Sequence, residues 1–256
     1  MAAALLDKPV SAYKLARQVG STYKPLQAIL QACRERESTL EKRSNARLCM
    51  QGPLEFDCTS LRKIRVGPAS KKYQGLVEEW RKRRKHVRLP RHFLLYFRVV
   101  GVCKRGSGQF AVRPLPLRLV PAAGKPPVES TAEVVSSGIL KCAQSGSTCF
   151  TDGAQAYKAA HRASCPGKRL KWREVVHSRS QFTATIRKTS GVKLSGTQTL
   201  DRLWHRLKMA VPKELNNRQK GWMNVDGFMK FVHAWMWRRS QKKDTLFFAL
   251  GKAMRD

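Results

Sequence analysis

The apolar positions of this chain fall into two rhythms, and the changes between them mark its elements. From residue 11 to 34 (SAYKLARQVGSTYKPLQAILQACR) they recur three to four apart, the spacing of a helix face. Tyr13, Leu15, Ala16 and Val19 would form the buried side of a first short helix, and Leu26, Ile29 and Leu30 that of a second. Gly20 separates the two, because a left-handed cap costs little only at glycine. Ser21 or Thr22 supplies an N-cap to the second helix, and Pro25 is tolerated in its first turn. Residues 35–50 are charged and polar and read as a linker with helical continuation.

The rhythm then shortens. LEFDCTSL at 54–61 is a short strand with Asp57 in its middle, followed by the basic run RKRRKHVR at 81–88. FLLYFRVVGVC at 93–103 is an apolar strand rich in aromatic and β-branched residues. KRGSG turns the chain at Gly106 and Gly108, and QFAVRPLPL at 109–117 returns it as a hairpin. Helical spacing resumes at 128–144, with Val128, Ala132, Val135, Ile139 and Leu140 on one face. STCFTDG at 147–153 is a strand ending at Asp152, AQAYKAAH starts a helix, and WREVVHS at 172–178 is another strand. TLDRLWHRLKMAV at 199–211 is an amphipathic helix with Leu200, Leu203, Trp204 and Leu207 inward. A last helix at 224–239 carries Val225, Phe228, Val232, Trp235 and Met236. Three strands, helix, strand, helix, strand, helix is the order of an α/β fold with an antiparallel portion.

Charge changes the picture more than length does. Lys and Arg number 51 against 17 Asp and Glu, a formal net charge of +34. Such an excess repels itself in a compact state, so a polyanion is the natural partner. Nucleic acid fits, because neutralising phosphates releases counterions and gives affinity without sequence reading. No run of about 18 apolar residues spans a bilayer, and the apolar start, Met1 to Leu6, is too short for a signal peptide. Seven cysteines without CxxC spacing give neither a zinc ribbon nor a disulfide framework, so reduced thiols in an intracellular compartment are expected. The expected location is the nucleus of a eukaryotic host, otherwise the cytoplasm or nucleoid. The 42% of hydrophobic residues is enough for a packed core.

Acidic residues are scarce, so their positions carry weight. Asp57 lies on the first strand, Asp152 at the end of the fourth, and Asp201 on the helix after the fifth. In a ribonuclease H-like mixed sheet with flanking helices, the first and fourth strands are neighbours and a later helix brings a third carboxylate. Three carboxylates meeting there would hold two Mg²⁺ or Mn²⁺ ions, about 3.5–4 Å apart in such sites. Hard oxygen ligands with open water positions suit those ions rather than zinc. Each aspartate also has a plain alternative. Asp152 with Gly153 is a turn signal, and Asp201 answers a helix dipole. Asp57 is harder to dismiss, since a charge inside an apolar strand needs a partner. Lys208 lies two helical turns after Asp201, on the same face, where it would meet phosphate or simply solvent.

Four segments carry a family resemblance: LEFDCTSLRK at 54–63, FTDGAQAYKAAH at 150–161, VVHS at 175–178 and GTQTLDRLWHRLK at 196–208. With them the chain resembles insertion-sequence transposases bearing an ISXO-type (ISXO-two-like) DDE domain, over roughly residues 11–245. The resemblance implies a helix-turn-helix DNA-binding segment and linker at 8–48 and a ribonuclease H-like catalytic domain at 50–245. It makes Asp57 and Asp152 the first two catalytic carboxylates, Asp201 the third, and Lys208 the family's lysine. The implied activity is metal-dependent cleavage and strand transfer on double-stranded DNA, both element ends and target, with homo-oligomerisation on DNA as a companion expectation.

The sequence departs from the family in three ways. Asp201 stands where the family has glutamate, Gln198 replaces its asparagine, and no cysteine-rich ribbon precedes the motifs. A non-catalytic DNA-binding protein on the same scaffold is therefore the rival reading. An RNA-binding protein of ribosomal type explains the charge but not the aspartates. Further nucleic-acid contacts are expected from Lys24 on the second helix, from Lys82, Arg83 and Arg84 in the basic run, and from His177. The run at 81–88 is otherwise a nuclear address or a solvated loop. Trp222, Trp235 and Trp237 would stack on bases or, by their helical spacing, pack a core.

Overall fold

The structure, a computed structural model, describes residues 12–20, 22–174, 196–211 and 225–240. The chain divides into two compact units, 1–48 with 205–256, and 49–204. In the first, helix α1 (Ala12–Val19) is followed by helix α2 (Tyr23–Arg47), and the C-terminal helix α7 (Val225–Ser240) packs against α2. Gly20 between α1 and α2 has φ +64°, the left-handed stop expected there. Helix α2 runs unbroken to Arg47, through most of the stretch that sequence reads as a linker with helical continuation.

That length has a reason visible in what α2 buries. The expected apolar stripe is thin: Ile29 is 56% exposed, and Leu26 and Leu30 are only half-buried. Instead Glu37, Ser38, Glu41 and Asn45 are buried, along a polar seam three to four residues apart. Arg238 of α7 closes on Glu37, with Nε 2.9 Å from both carboxylate oxygens and Nη2 2.7 Å from Oε2. A hydropathy pattern cannot announce a helix whose buried side is polar. Phe228, Val232, Met236 and Trp237 of α7 are buried and Trp235 is half-buried, as core packing requires, while Val225 and Trp222 lie outside the described side chains.

The second unit is built on a six-stranded mixed sheet. Its strands are β1 (Pro53–Val66), β2 (Phe93–Lys104), β3 (Phe110–Pro114), β4 (Arg118–Pro121), β5 (Thr148–Thr151) and β6 (Lys171–Glu174). The order is β3-β2-β1-β5-β6, and β4 pairs with the other half of β2. β1, β2 and β3 are antiparallel, whereas β1–β5 and β5–β6 are parallel. β1 is far longer than the eight residues expected. A register shift between Ser60 and Arg62 lets it continue beside β2, even though its far half carries Arg62, Lys63 and Arg65.

Helices cover both faces. Phe56 points to one side, its ring 6.0 Å from Tyr157 of α5 (Gln155–Ser164) and 5.8 Å from Trp172. Helix α4 (Thr131–Ser137) packs on α5. It is a single short helix followed by a 3₁₀ turn at Ile139–Cys142, not the continuous helix expected from 128 to 144. A capping box of Ser130 and Glu133 starts it and Gly138 at φ +66° stops it. Consequently Val128 is 80% exposed, and Val134 rather than Val135 is the buried valine. Helix α3 (Gln74–Arg83) docks through Val77 and Trp80, the latter edge-on to Phe93 at 5.2 Å. The basic run therefore begins as the exposed end of a helix. Helix α6 (Gln198–Ala210) has its first turn on the other face of β1.

The buried Glu37–Arg238 pair gives the first prediction. Arg238→Met leaves an uncompensated buried carboxylate and should cost about 3 kcal/mol of unfolding free energy. Adding Glu37→Leu should restore most of it, as read by denaturant titration of the full chain.

Candidate acidic site on strand β1

In a strand, alternate residues share a face, so Glu55 and Asp57 point the same way, opposite to Phe56. Both are buried, Glu55 completely and Asp57 to 8% exposure. Each takes a hydrogen bond from α6. The backbone N–H of Leu200 donates to Glu55 Oε2 at 2.8 Å, and the indole Nε1–H of Trp204 donates to Asp57 Oδ2 at 2.8 Å. The strand neighbour of Asp57 is Gly101 on β2, and a Cβ there would overlap the Trp204 ring. Glycine in that apolar strand makes room for the indole.

Asp152 follows β5, which pairs in parallel with β1 from Pro53↔Thr148 to Glu55↔Phe150. The register sets the first residues of β1 beside β5, with Asp57 and Asp152 each two residues past the last pair. Asp201 sits in the first turn of α6, exposed, with Thr197 Oγ1 donating to its Oδ2 at 3.3 Å. Asp152 and Asp201 are both close enough to act on Asp57. Burial raises the Asp57 carboxyl to about 8, and the charges of Asp152 and then Asp201 push in the same direction. The N–H groups of Trp204 and Cys58 oppose them without prevailing.

A fourth acid belongs to this neighbourhood and was not foreseen. Glu129, half-buried just before α4, has its carboxyl raised by burial and also by Asp152. Tyr157, fully buried beside it, has its phenol pKa held well above its ordinary value by burial, then by the charges of Glu129 and Asp57. Glu55 was overlooked as well, although an acid two residues before Asp57 in an apolar strand carries the same signal as Asp57 itself.

The remaining expected residues lie elsewhere. Lys208 is exposed on α6, two turns beyond Asp201, and Gln198 is exposed at the helix start. Lys24 is exposed in the first turn of α2. Lys82, Arg83 and Arg84 are exposed, with Arg83 bonded to Glu79 at 2.5 Å and Arg84 over the Trp80 ring. His177 lies outside the described residues. No family model, curated protein or solved structure matches this chain.

The fit of a divalent cation can be judged from the donors. Asp57 forms no ion pair among the described residues, and two more carboxylates act on it, so a cation would relieve both its burial and the repulsion. All the donors are hard oxygens, which suits Mg²⁺ or Mn²⁺. Among the described residues, no three acidic, histidine or cysteine side chains close around a single point. The donor chemistry fits, and water must complete the coordination, as it commonly does for Mg²⁺.

Two outcomes follow from the site as it stands. A carboxyl raised from 3.8 to about 8 stabilises the fold fully below the lower value, and that stability is lost as pH rises through the upper one. With a chelator present, the unfolding free energy of the native chain should therefore fall across this window more than that of Asp57→Asn, and the two curves should diverge most above pH 8. Gly101→Val should drive a side chain into Trp204 and cost about 1–3 kcal/mol, measured by thermal unfolding.

Proposed function

We propose that the chain is a metal-dependent polynucleotidyl transferase of the DDE transposase type, on a ribonuclease H-like scaffold. The observation that carries the reading is the placement of Asp57 on β1 and Asp152 just past the adjacent parallel strand β5, with Asp201 on a helix hydrogen-bonded to Asp57, so that both other aspartates act on the buried Asp57 carboxyl. The strand order β3-β2-β1-β5-β6, three antiparallel and two parallel, supports the scaffold.

Asp57, Asp152 and Asp201 would hold two Mg²⁺ or Mn²⁺ ions, with Glu129 close by. Bound there, the ions supply Lewis acidity toward a phosphodiester and lower the pKa of water. The residues of the chain do the rest. Asp57 would serve as a ligand in its deprotonated form, and the Trp204 N–H fixes which way its carboxylate faces. Lys208 offers a cation to DNA phosphate. The exposed Lys82, Arg83 and Arg84, with the general charge excess, hold duplex without reading its sequence. Helices α1 and α2, joined at Gly20, serve as the helix-turn-helix that recognises element ends, with Lys24 on the second.

A second reading is favoured by one observation: an indole already occupies one oxygen of Asp57, and no three ligands converge as built. On that reading the chain binds DNA without cutting it.

Mn²⁺ calorimetry on the full chain, repeated with duplex DNA, separates the two. Weak Mn²⁺ binding abolished by both Asp57→Asn and Asp152→Asn, with loss of duplex cleavage, is the expected result. DNA binding that falls steeply with salt but ignores metal and both substitutions would establish the second reading. Preference for structured RNA over duplex DNA in competition would overturn both.

A further inference from the structure

We propose that Glu55 and Arg105 form a positioning clamp that sets the start of α6, and with it Asp201, against Asp57. This rests on the metal-site reading above. Glu55 is completely buried and accepts from two partners: the Leu200 N–H at 2.8 Å and Arg105 Nε at 2.6 Å. Arg105 in turn donates through Nη2 to the carbonyl of Gly196, and its guanidinium lies 4.0 Å from the centre of the Phe150 ring on β5. The arginine is itself anchored, its backbone N–H bonded to Pro53 O at 3.0 Å. One ion pair thus ties Gly196, two residues before the helix, and Leu200 in its first turn to the same strand.

The pair does more than fill space. A buried ion pair is expensive to desolvate, and apolar residues of similar volume often stabilise a fold as well or better. An apolar pair, however, offers no oxygen to the Leu200 N–H and no donor to the Gly196 carbonyl. Those two bonds fix both the axial setting and the rotation of α6. Leu200 is the residue immediately before Asp201, so the bond to Glu55 acts next to the carboxylate whose place it sets. Glu55 reaches no reacting group and is a positioning residue, not a catalytic one.

The test uses the full ¹⁵N-labelled chain. The Trp204 indole N–H is identified by its disappearance in Trp204→Phe, and its hydrogen exchange reports how α6 sits on β1. Mn²⁺ affinity is measured in parallel with duplex present. The Glu55→Leu/Arg105→Met variant should keep its helical content and melting temperature, yet lose protection of the indole N–H. Its Mn²⁺ affinity should fall about tenfold or more, the worth of one hydrogen bond to a charged group. Glu55→Gln still offers its one oxygen to Leu200 but sets its amide N–H against Arg105 Nε, so it should retain more indole protection and Mn²⁺ affinity than the double variant. A double variant with native indole protection and native Mn²⁺ affinity would overturn the clamp. Should that variant fail to fold, Arg105→Lys decides: lost protection at an unchanged melting temperature supports the clamp, and no change sinks it. If the native chain binds no Mn²⁺ even with duplex, the metal reading fails, while the indole measurement still judges the clamp.

Discussion

A carboxylate buried beneath a helix must find donors, and on β1 two of them find theirs on the same helix. Glu55 and Asp57 are alternate strand residues, about 6.6 Å apart along β1. Leu200 and Trp204 are one turn apart on α6, about 6 Å along its axis. The two repeats match, so strand and helix meet in a two-rung ladder of hydrogen bonds. Gly101 supplies the space and Arg105 the counter-charge. A slip of one residue in β1 would turn both acids to the Phe56 side, against Tyr157 and Trp172. The register of the central strand is therefore tied to the docking of the helix.

The two rungs are not equivalent. Glu55 has a guanidinium, a backbone N–H and complete burial, the arrangement of a structural ion pair. Asp57 has an indole, a neighbouring N–H and two repelling carboxylates. Burying a carboxyl so poorly compensated works against stability at neutral pH. Strongly perturbed groups of this kind gather at functional sites. The same strand therefore carries one acid that sets geometry and one that is electrostatically unsatisfied.

Sequence reveals the strand-helix alternation and the aspartates because both leave strong signals: an apolar run with a charge in it, and a carboxylate at a strand end. Glu55 carries the same kind of signal as Asp57, but its partners Leu200 and Arg105 do not show in the sequence, and Gly101 has no visible meaning until Trp204 packs against it. The far half of β1 is hidden because Arg62, Lys63 and Arg65 look nothing like a strand until β2 is seen pairing with them. The length of helix α2 is hard to read for a related reason. Its buried side is Glu37, Glu41 and Asn45; Arg238 arrives to pair with Glu37, while burial raises the Glu41 carboxyl to about 7. The expected helix from 128 to 144 fails differently, because Gly138 and the Ser130 cap set local limits that override an apolar period.

Asp201 is where the ladder matters most for chemistry. Aspartate reaches one methylene less far than the glutamate expected at this place on the proposed transposase reading, and a helix free to slide would make up the difference by moving. This helix is held at Leu200 and at Trp204, on either side of Asp201, so its backbone cannot move to compensate. Any metal site completed there must be completed by water or by phosphate oxygens. Mg²⁺ retains several waters readily, and a site short of protein ligands gains affinity when a nucleic acid supplies oxygens. The indole and the Cys58 N–H on Asp57 do not close this route, because a carboxylate offers about four lone-pair sites and these donors use only some of them. Weak metal binding that strengthens when duplex arrives is therefore what this geometry favours.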